Sequence, residues 1–242
     1  MYPFDLKSFS QKKNHMKSLI LFIVGVFVLL SNVQVSNSTI KTIKDKNLDK
    51  DKYGSYDPGK DNQFSKQDRD YFNKITKSSE YNGGCEISRW KSDMKIFVKG
   101  EKPDYLMEEL NRIVSELNEI IDPIDIVIVD DVEESNYQIL FGSEQEYNNF
   151  KPGSKEHTPN NWGLFIINSG KEIKRGTMYV DIYRCDNIEG QKHLLREELT
   201  QSLGLTNDTY DYPESIFYQK WSETTEYAPI DKTLIDMLYN HW

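Results

Sequence analysis

The chain has 242 residues and a formal net charge of −9, a length that suits one domain once a leader and a linker are set aside. Its 15 Tyr, 11 Phe and 4 Trp supply bulk for a core, while the acidic balance argues against nucleic acid and anionic membrane surfaces as main partners. Residues 1–38 carry Lys7, Lys12, Lys13 and Lys17 against Asp5, so removing them leaves 26 of 30 basic and 38 of 39 acidic residues, or −12.

Leu19 to Leu30 is an unbroken apolar run behind Lys12, Lys13 and Lys17. A spanning helix needs about 20 apolar residues, so the run has the length of a signal-peptide core. Ser36-Asn37-Ser38 offers a small-x-small cleavage point. Residues 1–38 therefore read as a signal peptide, with an uncleaved N-terminal anchor as the alternative and the only expected membrane contact. Either way the rest is exported, to the periplasm or beyond the cell. Residues 39–64 are rich in Lys, Asp, Asn and Gly and too poor in aliphatics to offset chain entropy, which predicts a disordered linker. Its Asp49-x-Asp51 run fails as a calcium loop at Tyr53 and Lys60.

A domain over 65–242 follows. Asp68 to Ile75 predicts a short helix, and Ser88 to Val98 a strand with Trp90, Met94, Ile96 and Val98 inward. Pro103 opens a helix to about Ile121 on the 3–4 spacing of Leu106, Leu110, Ile113, Val114, Leu117 and Ile121. Strands are predicted over Ile124–Val129, Tyr137–Phe141, Trp162–Ile167 and Thr177–Tyr183, with a helical turn at Glu144–Phe150. Ile173 to Gly176 reads as a connection, and His157 as an exposed, inert loop residue. Pro229 to Asn240 is the last helix, packed through Ile230, Leu234, Met237 and Leu238, with Asp231 in its first turn where carboxylates favour the dipole. Cys85 and Cys185 are the two cysteines. In an exported chain an even count reads as a disulfide, and closing a loop of about 100 residues contributes roughly 4.7 kcal/mol in the chain-entropy model. Two free thiols are the alternative.

The stretch with most chemistry is Gln191 to Asp208. Leu194, Leu195, Leu199 and Leu203 give a helix one apolar face, and Gly204 suits its C-terminus. His193, Glu197 and Gln201 follow one another at i, i+4, so their side chains form a ladder. Glu198 lies about 100° around the helix from Glu197.

Glu197-Glu198-Leu199-Thr200-Gln201-Ser202-Leu203-Gly204-Leu205 resembles the active-site helix of the zincin metallopeptidases, His-Glu-x-x-His-x-Leu-Gly-Leu. On that resemblance Glu198 matches the general base and Gly204 the glycine of the metzincin form. Glu197 and Gln201 replace the two histidines, and Asn207 falls at the third ligand position, next to Asp208. Ser215-Ile216-Phe217 resembles the Met-turn Ser-Ile-Met, with Phe217 in place of Met. The combination is similar to domain-of-unknown-function family 2927, an uncharacterised bacterial family. Tyr71-Phe72-Asn73-Lys74-Ile75, Ser79-Glu80-Tyr81 and Ile87-Ser88-Arg89-Trp90 look like that family's opening segment. The fold this resemblance implies is α+β: a zincin-like, twisted mixed sheet with two long helices on one face and a small helical C-terminal subdomain.

Zinc prefers imidazole or thiolate, whereas Glu197, Gln201 and Asn207 offer oxygen only, a set better suited to calcium. Three readings follow. The domain is a silent zincin-like module binding peptide, glycan or a protein partner in the old cleft; or a peptidase-type hydrolase with Glu198 as base; or a fold in which the oxygens hold calcium for stability. Against all three stands a purely hydrogen-bonded cluster, with Glu197 accepting from Gln201 and Glu198 pairing with Arg196, a lysine or water. A two-carboxylate glycosidase is remote, because adjacent helical Glu side chains diverge.

Overall fold

The structure is a computed structural model and describes residues 63–76, 87–168 and 170–242. The expected leader, all but the last two residues of the expected linker, and Cys85 lie outside them, so the Cys85–Cys185 pairing has only its Cys185 end placed, buried after the last strand. Among the described residues no helix is long and apolar enough to cross a membrane.

Chain order is α1 (Lys66–Thr76), β1 (Arg89–Trp90), β2 (Met94–Gly100), α2 (Asp104–Ile120), β3 (Ile126–Ile128), β4 (Tyr137–Gly142), α3 (Glu144–Phe150), β5 (Gly163–Ile167), β6 (Glu172–Ile173), β7 (Gly176–Asp181), α4 (Ile188–Gln201) and α5 (Pro229–Asn240). Five strands form one sheet in the order β3-β2-β4-β7-β5. β2 runs parallel to β3 and β4, β4 parallel to β7, and β5 antiparallel to β7 at the edge. The fold is thus α+β, with a mixed sheet and, among the described residues, five α-helices.

Strand alternation decides the layers. β2 buries Met94, Ile96 and Val98 and exposes Lys95 and Lys99. Tyr137, Ile139 and Phe141 of β4 join them in a core filled by Leu106, Leu110, Ile113 and Leu117 of α2 and by Leu194, Leu195 and Leu199 of α4. A second cluster, Leu140, Leu164 and Tyr179, lies beneath α3, where Tyr147 stacks on Tyr179 at 4.6 Å. α3 is short and held by a capping box between Ser143 and Glu146. The C-terminal segment is continuous with the main core, which includes Ile216, Phe217, Leu234 and Leu238.

Three sequence expectations are corrected. The single strand over 88–98 is two: Asp93 accepts the Asp125 N–H at 3.0 Å and Asn136 bonds the Asp93 carbonyl at 2.8 Å, pinning a bend between β1 and β2. β1 then pairs in parallel with β6, so Ile173, read as the start of a connection, lies in a strand, as does Gly176 at the start of β7. His157 is buried rather than exposed, 6% accessible. Its loop closes on Asn148, whose Oδ1 accepts from Ser154 at 2.7 Å and Thr158 at 2.9 Å, which draws the segment inward. α4 itself begins at Ile188, where Asn187 caps it by accepting from Glu189 at 3.0 Å and Gly190 at 3.4 Å.

The other end of α4 fixes its seating. Gly204 has φ +120°, and a Cβ there would lie 2.1 Å from the Ser88 carbonyl oxygen, a backbone atom that cannot yield cheaply. Gly204→Ala is expected to lose at least about 2 kcal/mol of stability in urea unfolding; a loss under about 0.5 kcal/mol would show that the α4 terminus is not held against β1.

Candidate functional site

α4 is buried along nearly its whole length, polar residues included. Its N-terminal half is fixed by Gln191, whose amide donates to the carbonyls of Ile182 (3.1 Å) and Cys185 (2.5 Å) and whose oxygen accepts from the Tyr105 hydroxyl at 2.5 Å. Arg196 is fully buried and turns to α2: Nη2 lies 2.9 Å from Glu109 and Nη1 2.6 Å from Glu116, with the guanidinium 4.4 Å over the Tyr227 ring. It is therefore not the partner of Glu198 that the sequence suggested.

The ladder residues are each taken up by a different neighbour. His193 places Nδ1 2.7 Å from the Thr224 carbonyl, which can only accept, so Nδ1 carries a proton. Its Nε2 lies 3.2 Å from Oε2 of Glu197, both groups almost wholly buried. Two acceptors would repel there, so the contact is attractive only with one proton between them. The Trp221 ring meets the His193 ring edge-on at 6.0 Å and Trp162 at 6.1 Å, closing the site on that side. Gln201 donates to Asp208 at 2.6 Å rather than to Glu197. Asn207 bonds the Lys74 carbonyl at 3.1 Å, and its N–H bonds that of Ile75 at 3.0 Å, joining it to the end of α1.

Glu198 faces the sheet. A Cβ added at Gly163, the first residue of edge strand β5, would lie 2.8 Å from its Oε1 and 2.9 Å from its Cγ. Glycine is what lets the carboxylate come under the strand. The negative charge of Glu198 adds to burial in pushing the Tyr137 and Tyr147 phenols up. Gly163 was not singled out in the sequence, because a glycine starting a strand ordinarily signals only a turn.

Phe217 is fully buried, and the turn it belongs to is tied to α5. Asp231 accepts from the Ser215 hydroxyl at 2.5 Å and from the backbone N–H groups of Ala228 (2.9 Å) and Ile216 (3.2 Å). Burial pushes the Asp231 carboxyl up to about 6 despite these bonds. Asp231 does lie in the first turn of α5, and beyond the dipole it is a buried hub.

Chemically, the ligand positions implied by the zincin resemblance do not converge. Glu197 faces His193, the Gln201 amide bonds Asp208, and the Asn207 amide bonds α1, so the set does not fit a zinc ion. Among the described residues no group of three His, Cys, Asp or Glu side chains is placed to hold a metal. A surface groove of about 520 Å³ lies elsewhere, between α1 and residues 211–212, and is lined by Lys66, Asp70, Tyr71, Lys74, Asp211 and Tyr212.

Two measurements follow from this geometry. Gly163→Ala is expected to cost about 1–3 kcal/mol in the wild-type background and less in Glu198→Ala, since truncation removes the clashing atoms; equal costs in both backgrounds would mean that the close approach is not the cause. For Asp231, the folded value near 6 exceeds the unfolded value of 3.8. Its stabilisation is therefore fully present below about pH 4 and lost as pH rises through 6, by at most about 3 kcal/mol. Urea midpoints of wild type minus Asp231→Asn should grow on going from pH 7 to pH 4.5, whereas a carboxylate with a lowered value gives the opposite trend.

Comparison with curated proteins gives no match. A family model does match, across residues 65–241, which takes in every described element of the fold and every residue of the α4 site. The chain belongs to that family, described as a protein of unknown function (DUF2927).

Proposed function

We propose that this domain is an exported zincin-like module that binds an extended peptide along the edge strand β5 above α4, without a zinc centre. The observation that carries the reading is the separate internal engagement of Glu197, Gln201 and Asn207, which converts the ligand positions of the resemblance into structural contacts. The zincin-like part is supported by a mixed sheet whose antiparallel edge strand lies beside the helix with the Glu-Glu motif.

The edge supports a peptide over a glycan. Asp181 donates to the Trp162 carbonyl and Asn168 to that of Arg175, so the even-numbered residues of this ladder face β7. The N–H and C=O groups of Gly163, Phe165 and Ile167 consequently point away from β7, on a side where no strand pairs among the described residues. An unpaired edge is a template for strand addition. The hydrolase reading keeps one supporting observation: Glu198 lies directly beneath that edge.

Panning the chain against random dodecapeptides tests the proposal. Enriched peptides should lose binding to Ile167→Pro, which removes an outward N–H while leaving the β5–β7 bonds in place. Peptides that bind this variant unchanged, or none enriched at all, would sink the edge-binding reading. Cleavage of the peptides by wild type but not by Glu198→Gln would instead establish the hydrolase.

A further inference from the structure

The hydrogen bonds around Asp231 can be assigned a direction by counting protons. Oδ2 accepts two backbone N–H groups, from Ala228 and Ile216, and Oδ1 faces only the Ser215 hydroxyl. Ser215 Oγ also accepts the Phe217 N–H at 3.0 Å and lies 3.2 Å from the Tyr71 hydroxyl of α1. A hydroxyl has one proton and two lone pairs. With Asp231 ionised, the Ser215 proton must point to Oδ1. Phe217 takes one Ser215 lone pair, and Tyr71 donates to the other. The chain then runs Tyr71 to Ser215 to Asp231.

Protonating Asp231 changes each step. Oδ2 is already filled by two N–H donors, so the proton goes to Oδ1 and is donated to the Ser215 lone pair formerly used by Tyr71. The Ser215 proton has one acceptor left, the Tyr71 oxygen. Tyr71 becomes an acceptor toward Ser215 and turns its own proton away from it. No heavy atom needs to move.

We propose that Asp231, Ser215 and Tyr71 form a reversible proton relay through which the protonation of a buried carboxylate in α5 sets the direction of the hydrogen bond that joins α1 to the turn at Ser215. Tyr71 also lines the groove formed with Lys66, Lys74, Asp211 and Tyr212. Tyr71 sits in it with its ring 4.6 Å from that of Tyr212. Titratable groups face the relay from every side. Glu214 disfavours the ionised carboxylate from the turn, Tyr227 lies before α5, and Asp208 acts on Tyr71. Tyr71 is itself pushed up to about 12 by burial, so it stays a neutral phenol while Asp231 titrates near 6.

The test is the carbon-13 titration of the Asp231 carboxyl in the full chain and in Tyr71→Phe, which keeps the ring on Tyr212. In the variant the ionised state loses a donor to a spare lone pair, a small loss. The protonated state leaves the Ser215 proton with no acceptor, a larger one. The midpoint is therefore expected to fall by about half a pH unit, a roughly threefold loss of proton affinity. A fixed chain in which Tyr71 always donates would raise the midpoint instead, and either a rise or no change overturns the proposal. In wild type labelled at tyrosine Cζ, the Tyr71 resonance should shift with the same midpoint as the Asp231 carboxyl. A Tyr71 signal that stays flat through that titration overturns the relay without any variant.

Discussion

The constraint on which the structure turns is the burial of α4 with its polar residues. A helix of average polarity ordinarily keeps one face in water. Here Gln191, His193, Arg196, Glu197, Glu198, Thr200 and Gln201 are all buried, so each needs a partner inside the protein. Arg196 shows how the demand propagates. Its charge is matched by Glu109 and Glu116 of α2, and Glu109 is shared with Arg112, which reaches on to the Thr225 carbonyl at 2.7 Å. Thr200 meets the Tyr227 hydroxyl at 2.7 Å, and His193 the Thr224 carbonyl. Helix α2 and the strap 224–227 are thereby registered against α4 by directional bonds, which apolar packing alone would not specify. Breaking one member of such a set strands a buried charge, a penalty of several kcal/mol.

That constraint explains why the chemistry of the motif helix differs from what its spacing suggests. An i, i+4 ladder puts side chains in reach of one another, but what each then bonds is decided by the element packed above it. Gln201 finds Asp208 because Gly204 turns the chain back immediately after the helix. Asn207 finds the carbonyl end of α1, whose last turn has acceptors without intrahelical donors. Glu197 remains beside His193, with the tautomer of the ring set by Thr224 on its far side. Glu198, one position on, is rotated toward the sheet and reaches β5 only because Gly163 has no side chain.

Legibility in the sequence follows the same division. Long periodic elements were readable: the helix expected from Pro103 to about Ile121 is α2 at Asp104–Ile120, and Pro229–Asn240 and Glu144–Phe150 are helices over those same residues. The strand β4 was readable from Tyr137 as a short run of aromatic and β-branched residues, and it is buried on both faces. Two-residue strands such as β1 and β6 have no period to read. Buried loop residues such as His157 escape too, since polar loops that satisfy themselves look like solvated ones in sequence. One signal was available and unused. Glu109 falls on the stripe of Leu106, Leu110, Ile113 and Leu117, and a carboxylate in an apolar stripe announces a buried partner.

Asp231 carries the lesson from the site to the rest of the molecule. A carboxylate in a first helical turn is usually placed for the dipole and the orphan amides, and Asp231 does accept the Ala228 N–H in that way. It also accepts from Ser215 and Ile216, so the turn containing Phe217 and the start of α5 are closed by one group. Tyr71 reaches the same serine from α1, and Asn207 meets the end of that helix from the other side. Helices α1 and α5 and the segment after α4 are thus joined through hydroxyl and amide groups whose donors and acceptors must alternate. In such a closed set, the position of a single proton fixes the orientation of every hydroxyl. The carboxylate that completes the fold at α5 therefore also orients the hydroxyl that meets α1.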